Sequence, residues 1–218
     1  MIYYIVMENK VVLLLSGGID SVVLLYWLIE NKYKVYPLHI NYGQTTNESE
    51  IKAIKQILSK ELLSHTFFMD VPSLITMGSG TLTGEYPKQV GSREAWHEKE
   101  FFPNRNLILL TLASSYSSNI NINKISIGVV GRNSYSDTKN SFLKSAQKTL
   151  SLSLNPIEII APFAGRSRKE VIRSAINFNV PIELTFSCNS HSGNHCLFCN
   201  SCLERQQALD LMGKHNQM

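Results

Sequence analysis

Short apolar runs alternate with amphipathic stretches along the chain. Val11 to Leu15 is wholly apolar and bounded by polar residues, the pattern of a parallel strand buried on both faces. Ile19 to Asn31 follows as a helix with Val22, Leu25, Leu28 and Ile29 along one side, and Val35 to Ile40 reads as a second strand. From Glu48 the apolar positions Ile51, Ile54, Leu58 and Leu62 recur at helical spacing, and His65 to Met69 is a third β-rich run. Helices over Leu107–Tyr116, Thr138–Leu152 and Arg168–Phe178 then alternate with strands over Lys124–Val130 and Ile157–Ala161. Strands alternating with helices predict an α/β fold, a Rossmann-like doubly wound parallel sheet covered on both faces.

One stretch breaks the pattern. Met77 to Gly91 carries Gly78, Gly80, Gly84, Pro87 and Gly91 and keeps neither helical nor strand periodicity, so a mobile loop over a site is expected near residues 72–103. At 218 residues the chain suits one compact domain with an appendage, and we expect an α/β domain over 1–186 with a cysteine-bearing segment and C-terminal helix, 187–218, packed on it.

Composition narrows the class. Hydrophobic residues at 44% and charged residues at 17% exclude a disordered, collagenous or coiled-coil chain. The longest apolar run, Val22 to Ile29, falls far short of the roughly 18 residues that span a bilayer, and Glu8, Asn9 and Lys10 interrupt the place of a secretory h-region. A cytoplasmic protein is expected. The net charge of +4 is mild and the bases are scattered apart from Arg166, Arg168 and Lys169, which read as solvated surface rather than a nucleic-acid stripe.

Two constellations carry chemistry. The first strand runs into Ser16-Gly17-Gly18-Ile19-Asp20-Ser21 and then a helix. Two glycines let the backbone approach an anion, the N–H groups of the helix start point at it, and Ser16 and Ser21 add hydroxyls. The loop lacks the Lys of a P-loop and so is not built for γ-phosphate transfer. The second constellation is Cys188, Cys196, Cys199 and Cys202, all four cysteines of the chain within fifteen residues. Four clustered thiolates suit a closed, structural zinc site rather than a disulfide framework. An iron–sulfur cluster and unligated core cysteines compete with zinc, and His191 or His195 could replace one ligand.

Strand, Ser-Gly-Gly-x-Asp-Ser and helix together resemble the pyrophosphate loop of the ATP pyrophosphatase (PP-loop) superfamily, whose members cut ATP between the α and β phosphates. Thr185-Phe186-Ser187-Cys188 with His195 to Arg205 looks like the zinc segment of the QueC family of 7-cyano-7-deazaguanine synthases. Asn41-Tyr42-Gly43-Gln44 is similar to that family's Asp-Tyr-Gly-Gln, and Phe102-Pro103-Asn104-Arg105-Asn106 to its Val-Pro-Gly-Arg-Asn.

The resemblance implies a ligase that adenylates 7-carboxy-7-deazaguanine and aminates it with ammonia to the amide and then the nitrile, releasing AMP and pyrophosphate. It implies ATP at Leu15, Ser16, Gly17, Gly18, Ile19, Asp20, Ser21, His39, Tyr42 and Arg105. Asp20 would assist magnesium or pyrophosphate, and Arg105, at a loop-to-helix junction beside a proline, is our choice for the cation near the reacting phosphorus. The family often dimerises, so a homodimer is expected.

After Lys124–Val130 the family carries an acid and a Ser-Gly-Tyr-Pro-Asp-Cys-Arg run, where this chain has Gly131 to Lys139. Arg132, Tyr135, Asp137 and Lys139 are therefore the candidates for reading the substrate. A divergent branch that stops at the adenylate or amide and acylates a protein or nucleic-acid amine is the alternative. A non-catalytic nucleotide-binding partner is a further one, which the undamaged loop Ser16–Ser21 disfavours.

Overall fold

The computed structural model describes residues 9–80, 102–131, 135–189, 193–197 and 199–215. Its centre is a five-stranded, wholly parallel sheet: β1 (Lys10–Leu14), β2 (Lys34–Asn41), β3 (Phe67–Asp70), β4 (Lys124–Ser126) and β5 (Glu158–Ile160), in the spatial order β3-β2-β1-β4-β5. Around it lie α1 (Ile19–Glu30), α2 (Asn47–Ile57), α3 (Lys60–Ser64), α4 (Arg105–Asn119), α5 (Asn140–Ser153), α6 (Arg168–Asn177) and α7 (Asn200–His215).

The pleat of β1 feeds two cores. Val11, Leu13 and Leu15 face one side with α1 and α6, whereas Val12 and Leu14 face the other with α4 and α5. Helix α1 is buried on more of its circumference than a one-sided stripe allows: Val22, Val23, Leu24, Leu25 and Leu28 are all buried, while Ile29 is exposed. The reason is a second cover, because Ala208 of α7 is fully buried in the same cluster, with Leu209 and Met212 against it. No helix of the described residues is long and apolar enough to cross a membrane.

The structure refines several expected boundaries. The helix expected through Leu62 is two helices, because the Ser59 hydroxyl accepts from the Leu62 N–H at 3.2 Å and starts a new one. The strand expected over Lys124–Val130 pairs only to Ser126. Beyond it Gly128 passes so close to α1 that a Cβ there would lie 2.8–2.9 Å from the backbone of Asp20 and Ser21, and the chain must leave the sheet. Pro72–Met77 forms a 3-10 turn. Most of the loop expected near 72–103 lies outside the described residues.

All five strands point their carboxyl ends the same way, and each crossover helix starts at that edge. The order reverses at β1, between β2 and β4, which opens a crevice where doubly wound sheets bind ligands. The loop Ser16–Gly18, the tail of β2, the start of α4, the turn 136–138 and the start of α6 all meet this edge.

Candidate functional site

The loop Ser16–Ser21 is held by its own hydrogen bonds. The Ser21 hydroxyl donates to the Gly18 carbonyl (3.0 Å) and receives the Ser16 N–H (3.3 Å), and the Ser16 and Ser21 hydroxyls are 3.3 Å apart. Gly17 sits at φ +77°, and a Cβ there would meet the Glu50 carbonyl at 3.0 Å, so glycine is required on both conformational and spatial grounds. Gly18 starts α1 with no side-chain cap, which leaves the N–H groups of the first turn, dipole included, to an outside anion.

The other expected ATP residues divide by burial. The His39 ring is almost fully buried: Nδ1 lies 3.1 Å from the Leu15 carbonyl, Nε2 lies 2.9 Å from Asn47 Oδ1, and Glu50 is 4.0 Å away. His39 thus ties β2 and α2 to the residue that opens the phosphate loop. Tyr42 is half-buried and packs edge-on against Phe102, their rings 5.5 Å apart, which joins the β2 tail to the segment preceding α4. Asn41, where the family motif has Asp, donates to Asp70 Oδ1 (2.9 Å) and accepts the Gly43 N–H (3.0 Å). An amide performs both tasks, whereas a carboxylate would face Asp70 with like charge.

Arg105 opens α4 behind Asn104, which stands in the left-handed region at φ +56°. Asn106 reaches across to the Asp137 carbonyl at 3.3 Å, so the Pro103–Asn106 motif and the turn 136–138 form one wall. Tyr135 is exposed on that wall and Lys139 leads into α5. Arg132 lies outside the described residues.

Asp20 has a partner that sequence reasoning assigned to plain surface. Arg168, in the first turn of α6, pairs through Nη1 with Asp20 Oδ1 and through Nη2 with Glu204 Oε2 of α7 at 2.7 Å. Burial, the largest single influence, pulls the guanidinium pKa down, but the two carboxylates together outweigh it and the pKa rises. Its Nε is buried with no hydrogen-bond partner among the described residues. Arg166 is turned away and donates to the Pro162 carbonyl at 3.0 Å.

The four cysteines converge although they come from a loop and the start of α7. Their sulfurs all lie within 4.8 Å of one another, and Cys196 Sγ to Cys202 Sγ is 3.8 Å. Tetrahedral thiolates about 2.3 Å from zinc are about 3.8 Å apart, so the geometry fits a single metal ion. The N–H groups of Cys199 and Cys202 donate to the sulfurs of Cys196 and Cys199 at 3.3 and 3.4 Å, which favours thiolates. The thiols also crowd one another: the Cys188 thiol pushes Cys202 up to about 12 and Cys199 upward as well, with burial adding to both. His195 stands beside the cluster, its ring tilted against Phe186 with centroids 4.8 Å apart and its Nε2 3.5 Å from the Ser187 N, and is not among the four clustered ligand atoms. His191 lies outside the described residues.

Comparison with known proteins agrees with this arrangement. The family described as "Queuosine biosynthesis protein QueC" matches residues 10–213. The chain belongs to the QueC family. Its relatives include 7-cyano-7-deazaguanine synthase 1 of Desulfitobacterium hafniense, 50% identical over 94% of this chain and 93% of that one. The 7-cyano-7-deazaguanine synthase of Archaeoglobus fulgidus is 33% identical over 91% and 85%. Among solved structures, a 4-thiouridine synthetase in complex with RNA and ATP superposes with a TM-score of 0.51 at 16% identity, over 94% of this chain and 52% of that one. The U34-tRNA thiolase NcsA from Methanococcus maripaludis gives 0.50 at 17%, over 96% and 67%. At these identities they establish a shared fold: the expected Rossmann-like sheet.

Two residues of this QueC chain escape a motif reading. Gly128 carries no motif; its signal is a glycine within a β-rich run, a mark of close backbone approach. Arg168, read from the sequence as surface, had a signal only in its neighbours. Ser167 and Glu170 form a capping box, with Glu170 Oε2 accepting the Ser167 N–H at 2.7 Å, and this sets Arg168 in a first helical turn at the carboxyl edge.

Proposed function

We propose that this chain is an ATP-dependent carbon–nitrogen ligase that converts 7-carboxy-7-deazaguanine and ammonia to 7-cyano-7-deazaguanine. The observation that carries this reading is 50% identity, over 94% of the chain, to a protein named 7-cyano-7-deazaguanine synthase 1. The prebuilt loop Ser16–Ser21 supports it independently, because backbone donors without a P-loop Lys suit a departing pyrophosphate.

In this reading the substrate carboxylate oxygen attacks the α-phosphorus and pyrophosphate leaves into the cradle of Ser16, Ser21 and the α1 N-terminus. Ammonia then attacks the acyl carbon, and AMP leaves with the carboxyl oxygen to give the amide. The amide oxygen repeats the attack on a second ATP, and loss of AMP and two protons leaves the nitrile. Asp20 would hold magnesium, which supplies charge neutralisation of the phosphates. Arg105 would act from the α4 start, and Tyr135, Asp137 and Lys139, with Arg132, would read the deazaguanine. Zinc at Cys188, Cys196, Cys199 and Cys202 would be structural, since four protein thiolates leave no open position.

Mass spectrometry of products from ATP, ammonia and 7-carboxy-7-deazaguanine tests this, with nitrile and two AMP per turnover expected. Accumulation of ADP, or an unchanged acid, would overturn it.

A further inference from the structure

The four-cysteine segment and α7 do more in this fold than close the chain end, because they touch the phosphate loop at two points. The first is backbone. Arg205 of α7 donates from Nε to the Thr185 carbonyl at 3.1 Å and from Nη2 to the Glu183 carbonyl at 2.8 Å, which braces the strand of chain leading to Phe186. The Phe186 N–H donates in turn to the Gly17 carbonyl at 3.0 Å. The second is ionic. Glu204, the residue before Arg205, takes one arm of Arg168 while Asp20 takes the other.

We propose that Glu204 is a positioning residue for the ATP phosphate site. By holding the second arm of Arg168 it limits that guanidinium to a one-armed contact with Asp20, so that α7 and the cysteine segment set the charge and shape of the phosphate cradle. The inference rests on the reading that Ser16–Ser21 binds ATP.

An arginine has five N–H donors, and the two ion pairs engage one on each terminal nitrogen. With Nε buried, the second N–H of each terminal nitrogen is what is left for a phosphate oxygen, provided the guanidinium stays between its two carboxylates. Without Glu204 both terminal nitrogens are free to close on Asp20 as a two-armed pair, the preferred Arg–carboxylate geometry. That pair would withdraw Asp20 from a bound cation and Arg168 from a phosphate together.

The sign of the effect separates this role from simple electrostatics. Removing a negative charge near an anion site strengthens anion binding by Coulomb's law, whereas loss of positioning weakens it.

The test uses the full-length, zinc-loaded protein, with calorimetric titration of magnesium pyrophosphate and of a non-hydrolysable ATP analogue, and with zinc content and Tm measured alongside. Glu204→Gln is expected to weaken both ligands at least fivefold while one zinc per chain remains. Glu204→Asp keeps the charge but has a shorter arm, and is expected to weaken binding in the same direction. Arg168→Lys offers a single nitrogen that cannot serve both carboxylates, so Glu204→Gln added to it should cause no further loss. Binding by Glu204→Gln as tight as wild type or tighter, or losses that add in the double variant, overturns the inference while leaving the ATP reading standing. A wild-type protein that binds neither ligand overturns both.

Discussion

At Gly128 a single methyl group decides whether the phosphate loop keeps its shape. Its added Cβ would press on backbone atoms of Asp20 and Ser21, which cannot rotate away as a side-chain tip can. Gly128→Ala should therefore cost about 1–3 kcal/mol, the usual range for overpacking, and weaken ATP binding more than its stability loss alone implies. Thermal unfolding beside ATP titration checks this, and a variant with wild-type affinity would show that the loop tolerates displacement. Asp20→Ala is the complementary case. It opens space rather than filling it and leaves Arg168 with Glu204. The fold should survive, whereas ATP–pyrophosphate exchange should fall at least tenfold.

Helix α6 illustrates the same coupling one level up. Its capping box satisfies the Ser167 N–H through Glu170 and the Glu170 N–H through Ser167, and the arginine that meets the phosphate loop lies in the turn so defined. Ser167→Ala should cost about 0.5–2 kcal/mol, as cap removals do. Because fraying begins at the turn carrying Arg168, the same variant should lose affinity for pyrophosphate. The wall formed by the α4 start and the turn 136–138 is the element expected to govern substrate choice. Asp137→Ala is expected to weaken binding of 7-carboxy-7-deazaguanine by about 1–3 kcal/mol, the cost of an unpaired polar group, and to leave ATP binding unchanged in calorimetry.

Across the molecule, the four-cysteine cluster and the loop Ser16–Ser21 are joined by direct contacts. Cys188, Cys199 and Cys202 are buried against Ala53 of α2 and Phe186, and Phe186 is bonded to Gly17. Metal binding energy at such a site is folding energy. Elemental analysis is expected to find one zinc per chain, and Cys202→Ser or chelation is expected to lower Tm and ATP affinity together, with both restored in the chelated protein when zinc is returned. Iron with visible charge-transfer absorption would instead assign an iron–sulfur cluster, and four titratable thiols in the protein as purified would remove the metal altogether.

The central strand β1 was legible in the sequence because it is a short apolar run whose burial on both faces leaves no polar alternation, whereas the edge strands β3 and β5 are partly exposed and were placed by their β-rich composition. The phosphate loop was legible for a related reason: Ser16 to Ser21 makes its bonds within six residues, so local order is enough to encode it. The cysteines announced themselves by spacing, three of them at every third position. Helix boundaries were less legible, since Ser59 could cap a helix or lie within one until Leu62 bonded to it. What the tertiary structure alone decided are contacts between residues far apart in the chain. Asp20 and Arg168 are separated by 148 positions, and nothing near either names the other. Gly128 is required by the helix across from it, not by its own strand. The ring of His39 is fixed between Leu15 and Asn47, partners 24 and 8 positions away in the chain. Periodicity and motif record what the chain does within a few turns of itself. Which charge faces which is determined only when the parallel sheet gathers the starts of α1 and α6 at one edge and α7 packs against them.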